Sequence, residues 1–380
     1  MTDLTKVKAS MILASARFWV IIVVLYLTTK NLSQEQIYQS IGFYYLASMI
    51  FEYPTGVIGD YFSHKISVIW GYLIIALAMI LFVVSTTFLN ITLVYVIYAI
   101  GAALISGSDT ALLHAVSKNF KNDMSQVRIY STLISAGALG VGGWLGSIDL
   151  RYPFYFNVVF FLGAIIFLLS VKSKNQEKTT GNIFALAKHG ISYTFSVKEL
   201  LHIVLVSSLI SSFYLNIKWF YNPLFLALDI NLKFWGVLGG ISILSIMMGT
   251  YIYKKVPEKS IYLYMFLFIG SLILMGCTNL LWVSMVGFFV VNFIRGFLET
   301  KIEVDINRAI KSEVRASVLS FRSFLTRFGT YIIVLISGYF LQRYSFQMLM
   351  FILAGIIFVV SFYSLIVIRK FELIRVHDLK

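Results

Sequence analysis

The chain has 380 residues, 59% of them hydrophobic and only 13% charged, with a mean hydropathy of +0.85. Soluble domains are about a quarter charged, so the composition indicates a membrane protein. The net charge of +14 does not point to nucleic acid, because the basic residues are scattered between apolar runs rather than gathered on one domain. The single cysteine, Cys277, excludes an internal disulfide and a cysteine-built metal cluster.

A bilayer span needs roughly 17–25 mostly apolar residues. Twelve such segments are expected, near 10–29, 37–59, 66–87, 90–116, 128–148, 152–171, 200–226, 233–253, 260–278, 280–300, 313–340 and 345–368. The first carries Arg17. Just before its main apolar run, Ala14-Ser15-Ala16 looks like a leader cleavage site, but it stands on the wrong side of that run, so no cleavable leader is expected. The second holds Tyr45, Ser48, Glu52, Thr55 and Gly59 at helical spacing, and the fourth holds Tyr95, Tyr98, Ala102, Ser106 and Asp109. In the fifth, GALGVGGWLG at 137–146 is read as a surface for close helix packing.

The longest connection, 172–199, follows the sixth span. It divides the chain into a bundle at 1–172, a cytoplasmic loop at 173–199 and a second bundle at 200–380. The seventh span carries Ser207, Ser211, Tyr214, Lys218 and Tyr221. The tenth carries Asn292, Arg295, Glu299 and Glu303, and the eleventh Ser320, Arg322, Ser323, Arg327 and Tyr331. The third, sixth, ninth and twelfth have no charge in their apolar cores and read as scaffold. Pro54 and Pro223 are expected to bend the second and seventh spans.

Two echoes relate the halves. ISG at 105–107 matches IRG at 294–296, and VRIYSTL at 127–133 matches VRASVLS at 314–320. The expected fold is therefore all-α and integral to the membrane, with twelve transmembrane helices in two pseudo-symmetric six-helix bundles around a central cavity. With both termini inside, 22 Lys and Arg fall in cytoplasmic segments and 4 in outer loops. A plasma-membrane location with both termini cytoplasmic follows as the expectation.

A charge inside a span usually faces a wet interior and finds a partner there. Such charges total five bases (Arg17, Lys218, Arg295, Arg322 and Arg327) and three acids (Glu52, Asp109 and Glu299). The acids are the candidates for proton coupling. The substrate-binding candidates are Arg17, Tyr45, Tyr98, Tyr214, Lys218, Asn292, Arg295, Arg327 and Tyr331. The excess of bases favours an anionic or zwitterionic cargo, since a guanidinium fork matches carboxylate and phosphate. Plainer readings stand beside these. Arg295 and Glu299, four apart on one face, can neutralise each other, and Glu52 can pair permanently with Arg17.

GVIGDYFSHK at 56–65 resembles the signature loop between the second and third spans of the major facilitator superfamily. Gly56, Asp60 and Lys65 match that pattern, while Tyr61, Ser63 and His64 depart from it. FEYPTG, which leads into the loop, and IKSEVRASVLSFRS at 310–323 are similar to segments of the same family. The resemblance implies an inner gate built from Gly56, Asp60, Lys65, Arg315 and Arg322. In that gate Asp60 meets the start of the eleventh span, and Lys65 finds an acid such as Asp123.

The expected function is secondary active transport by alternating access, as proton-coupled export of a small amphipathic anionic or zwitterionic molecule. The alternatives are multidrug-type efflux of lipophilic cations, an importer of the same fold, and a non-transporting receptor or lipid scramblase. No enzyme is expected. The five histidines form no H-E-x-x-H pair and no G-x-x-x-x-G-K-[ST] loop is present, so neither a metal site nor a cofactor is anticipated. The expected partners are the small-molecule substrate, protons or another coupling ion and the lipid bilayer, without nucleic acid, and the expected state is a monomer.

Overall fold

The structure, a computed structural model, describes the backbone of every residue except 62, 173–191, 254, 256–260, 311–314 and 378–380. Side chains are described for those residues apart from 53–61, 199, 261–262, 309, 316 and 364–377. Among the described residues every regular element is a helix. Among the described residues nine helical segments are long and apolar enough to cross a membrane, and Leu263–Gly276 is a shorter apolar helix.

In chain order, α1 (Asp3–Ala14) leads through a 3-10 turn (Phe18–Ile21) into α2 (Val23–Thr28). Then come α3 (Gln34–Tyr61), α4 (His64–Val84), α5 (Phe88–Ile105), α6 (Ser108–Val116), α7 (Phe120–Ile148) and α8 (Tyr152–Leu169). Further along the chain, α9 (Lys198–Asn216) passes through a second 3-10 turn (Ile217–Phe220) into α10 (Tyr221–Ala227). The rest are α11 (Leu232–Tyr253), α12 (Ile261–Gly276), α13 (Leu281–Ala309), α14 (Arg315–Arg343) and α15 (Phe346–His377). Local chemistry sets several starts. Thr2, Thr87 and Asn119 accept from backbone N–H groups three residues on, at the heads of α1, α5 and α7.

Among the described residues three of the expected spans are interrupted, and each interruption lies beside a charge. The first breaks at Ser15–Arg17, the fourth at Ser106–Gly107 just before Asp109, and the seventh at the 3-10 turn that contains Lys218. Gly107 has φ +79°, a conformation that glycine adopts without the clash a Cβ would bring. Pro223 sits in the first turn of α10, where its missing N–H costs no helical bond. The interruption of the seventh span therefore precedes the proline.

A broken helix in a bilayer must have its freed backbone groups satisfied by protein, and buried polar side chains perform this task. Asn157, fully buried on α8, donates to Ala16 O (2.7 Å), and its Oδ1 accepts from Trp19 N (3.4 Å), one residue either side of the Arg17–Phe18 pair. Ser135 Oγ donates to Ser15 O (2.8 Å). Asn222 donates to Ile21 O and accepts from Leu25 N, both at 3.1 Å, where the 3-10 turn joins α2. At the seventh-span break, Tyr38 OH donates to Trp219 O (2.6 Å).

The chain folds into two compact units. The first comprises Met1–Thr180, Lys218–Ile243 and Val334–Gln342. The second comprises Gly181–Ile217, Leu244–Ile333 and Arg343–Lys380. In the first, the glycine run of α7 is a packing seam: a side chain on Gly142 would overlap the Phe18 carbonyl, and one on Gly143 the backbone of Gly236. Close backbone approach of this kind is what small residues permit between membrane helices. In the second, α9 and α14 are joined by serines. Ser212 Oγ donates to Thr326 O (2.9 Å), and Ser208 Oγ to Arg322 O (3.3 Å).

Candidate functional site

The first unit holds a half-open cavity of about 290 Å³. Its lining combines Arg17, Asp109 and Arg128 with Tyr44, Tyr72 and Tyr98, and with apolar residues of α1, α4, α7 and α8. That volume is at the lower end of the range for small-molecule sites. The broken helices create its chemistry. The chain leaves helical geometry at Arg17, whose exposed side chain lines the cavity. Asp109 lies in the first turn of α6, where the helix dipole favours a carboxylate. Its Oδ1 accepts from Thr110 N (2.6 Å) and Thr110 Oγ1 (3.2 Å).

A smaller cavity of about 20 Å³ adjoins it, sharing Arg17, Tyr44 and Tyr98 and adding Trp19, Val20, Tyr95, Lys218 and Trp219. The ring of Tyr98 lies 5.5 Å from those of Trp19 and Tyr44. Lys218 Nζ sits 4.8 Å from the Trp219 ring and 5.9 Å from that of Tyr45, distances at which a cation is attracted to a π face. Arg17, Tyr98, Lys218 and Asp109 are thus gathered in one unit. Tyr45 lies apart from both cavity linings, buried, with its hydroxyl accepting from Trp219 Nε1 (3.0 Å).

The second unit holds the other candidates. Arg295 Cζ lies 5.9 Å from the Tyr214 ring centroid. Its Nε is 3.9 Å from Glu299 Oε2, a loose pair in which the Glu299 side chain remains 46% exposed. Asn292 is fully buried and donates to Phe288 O (2.8 Å) within its own helix. Arg322 donates to Ser207 Oγ (3.3 Å) and Ser211 Oγ (2.7 Å), tying α14 to α9. Arg327 Nε reaches Ser323 Oγ at 3.5 Å, and Tyr331 is half-buried. Glu52 is half-buried on α3.

Of the gate residues, the side chains of Gly56 and Asp60 lie outside those described. Lys65 donates to the carbonyls of Leu169 (3.2 Å) and Val171 (2.6 Å) at the end of α8, where a cation complements the helix dipole. The acid expected to meet it, Asp123, is instead paired with Lys8 and accepts from Ser117 Oγ. The reason is proximity: Lys8 and Asp123 belong to α1 and α7, which pack together, and the free carbonyls of α8 give Lys65 acceptors of its own. Asp123 lies ahead of the apolar run expected to span the bilayer at 128–148, and Lys8 and Ser117 hold its carboxyl below the ordinary pKa. Arg315 is exposed and donates to Ile310 O (3.3 Å).

Sequence reasoning missed several residues of the site and its supports, among them Tyr72, Trp19 and Trp219. Tyr44 lines both cavities in place of its neighbour Tyr45, a shift of about 100° around the helix that spacing alone does not resolve. Arg128 counts as a loop charge in the sequence, yet it sits within α7 and lines the larger cavity. Asn157 carried a signal, being an isolated amide in the apolar run YPFYFNVVFF.

Apolar helices of membrane-spanning length, packed around a charged and tyrosine-lined cavity beside broken helices, define a multi-pass helical membrane protein. The Major Facilitator Superfamily profile matches residues 9–302, and the chain belongs to that family. The chain is 26% identical over 253 residues to an uncharacterized MFS-type transporter, YxaM, of Bacillus subtilis (strain 168), a match that takes in 63% of each chain. It therefore spans less than two thirds of that relative's length. A crystal structure of a variant of the nucleoside transporter NupG superposes with a TM-score of 0.81 at 16% identity, covering 96% of this chain and 99% of that one. The POT family transporter PepTSo superposes at 0.77 with 11% identity and 98% coverage of both. At those identities the two structures share its fold.

Proposed function

We propose that this transporter carries out proton-coupled export of a small amphipathic organic anion or zwitterion, which binds in the larger cavity of the first unit. The observation that carries the reading is the lining of that cavity: two guanidinium groups, Arg17 and Arg128, against one carboxylate, Asp109, with three tyrosines around them. Two bases to one acid favour an anionic group on the cargo, and tyrosine faces suit an aromatic or aliphatic body. Asp109 is the proton carrier in this reading. It is the acid that lines the cavity, whereas Glu299 is half-exposed and loosely paired with Arg295. The cycle is alternating access between a 1–172 bundle and a 200–380 bundle, with Gly56, Asp60, Lys65, Arg315 and Arg322 at the inner gate. The protein acts as a monomer in the plasma membrane with both termini in the cytoplasm.

The test is thermal stabilisation of the detergent-purified protein by anionic, zwitterionic and cationic amphiphiles, with Arg17→Gln beside the parent. A ligand that binds the folded state raises the melting temperature according to its occupancy. Anions should stabilise the parent and lose most of that effect in the variant. Equal stabilisation of both proteins by cations would overturn the cargo class and make lipophilic-cation efflux the reading.

A further inference from the structure

The larger cavity carries charges of both signs that do not neutralise one another. Arg17 and Arg128 are exposed on its wall and Asp109 is half-buried there, so all three present surface to one space. Among the described residues no ion pair joins Asp109 to either base. The carboxylate is instead held by Thr110, beside it on α6. That helix packs against α1, α4, α5 and α7. Of these, α4 contributes Tyr72 to the lining, α5 Tyr98 and α7 Arg128, while the α1 residues there are uncharged. Lys8 and Asp123, where α1 meets α7, are paired with each other. His114, on α6 itself, is exposed, with its ring 5.0 Å from that of Phe120. Arg17 and Arg128 are therefore the charged groups that share the cavity with Asp109. A charge within a span usually finds a partner, and here each sign is left for a ligand or for the water that a half-open cavity admits.

We propose that the cargo is an amphipathic zwitterion of the α-amino-acid kind, its carboxylate held by Arg17 and Arg128 and its ammonium by Asp109. The inference rests on the proposed function and narrows its cargo class. A plain monoanion would offset the excess of base, but it would leave the Asp109 carboxylate without a counter-charge and would sit beside it. Such a cargo binds best when Asp109 is protonated, so cargo and proton travel together. A zwitterion does the reverse. Its ammonium pairs with ionised Asp109, the proton leaves the carboxyl for water, and a proton that returns expels the cargo. Exchange of that sign is what proton-driven export requires. The tyrosines of the lining suit an apolar or aromatic body and attract its ammonium. Arg128 thereby gains a role in specificity. With Arg17 it reads the carboxylate that distinguishes the zwitterion from a plain amine.

The test uses the full chain in detergent and two matched sets of probes: phenylalanine with hydrocinnamate and phenethylamine, and leucine with isocaproate and isopentylamine. Each set keeps one body and removes the amine or the carboxylate. At least one of the two zwitterions should raise the melting temperature saturably. Its half-saturation should lie about tenfold or more below that of either matched probe, the loss of one charge-assisted contact. That concentration should rise by up to about tenfold for each pH unit from neutral into the acid range. Binding to the weakly buffered parent should release protons to an indicator dye. Arg128→Gln should bring the zwitterion down to the level of its amine, and Asp109→Asn to that of its anion, with the pH dependence gone. Proton release is read on the parent, so the test stands even if a variant fails to fold. Anions that bind more tightly than the zwitterions, with proton uptake, overturn the inference and leave organic-anion recognition by this cavity in place. Amines that bind as tightly as the zwitterions overturn both. A parent indifferent to both zwitterions, or one that binds them without releasing protons at any pH, overturns the inference. Conversely, zwitterion binding with proton release but no transport in proteoliposomes removes the proposed export and leaves the site.

Discussion

The two I-x-G echoes of the sequence end in opposite structures. At 105–107 the helix stops. Gly107 takes φ +79°, no atom lies within 4 Å of where its Cβ would stand, and a new helix begins with Asp109 in its first turn. At 294–296 the helix runs on unbroken within the 29 residues of α13, and Gly296 is pressed against the backbone of Ile246 on α11. The first glycine is used for its conformational freedom, the second for its lack of a side chain. The chemistry diverges accordingly. The broken helix directs an acid onto a cavity, while the continuous one leaves Arg295 and Glu299 four residues apart on its own surface. Sequence symmetry between the halves therefore does not carry over into equivalent sites.

The strongest way to break this comparison is through the two acids. Asp109→Asn should reduce transport of the organic anion in proteoliposomes by about tenfold or more and flatten its pH dependence, the usual cost of losing a positioned proton carrier. Glu299→Gln should stay within about threefold of the parent, since a half-exposed, loosely paired carboxylate contributes little. The reverse ranking would move coupling to the second unit.

The glycines come next. Gly296→Ala forces two helix backbones apart and should cost about 3 kcal/mol of stability, at the upper end for overpacking. Gly107→Ala meets no neighbour, so it incurs only the backbone strain, about 1–2 kcal/mol. Unfolding of both variants in a denaturing detergent series measures the pair, and equal losses would erase the difference between the two glycines.

The smallest effect concerns the contact between α1 and α7 in the first unit. Lys8 and Ser117 depress the Asp123 pKa below its ordinary 3.8. A carboxyl with a lowered folded-state pKa stabilises the protein above its unfolded value and loses that stabilisation as pH falls through the folded one. The melting temperature of Asp123→Asn should therefore lie below that of the parent at neutral pH, and the gap should close only below pH 3.8. A gap that closes near pH 6 would assign the effect to another group.

Much of the site's composition is legible in the amino-acid sequence. Arg17, Tyr98, Asp109 and Lys218 stand out because charge and tyrosine are expensive in apolar runs, and all four line the two cavities. The choice between Tyr44 and Tyr45 is not legible, because adjacent residues differ only in azimuth and the rotation of a helix is set by its neighbours. Nor is the role of Arg128, since a base near the end of a span reads as a loop charge until the packing of α7 is known.

The sequence by itself determined that the chain is a helical membrane protein, because hydropathy and the positive-inside bias follow from composition along the chain and need no partner contacts. It also marked where charge is concentrated inside the spans. Tertiary structure alone decided where the helices break. A break in lipid persists only when buried amides and hydroxyls such as Asn157, Ser135, Asn222 and Tyr38 arrive from distant segments to bond the freed backbone. Those partners lie up to 201 residues away along the chain, and no local pattern encodes that distance.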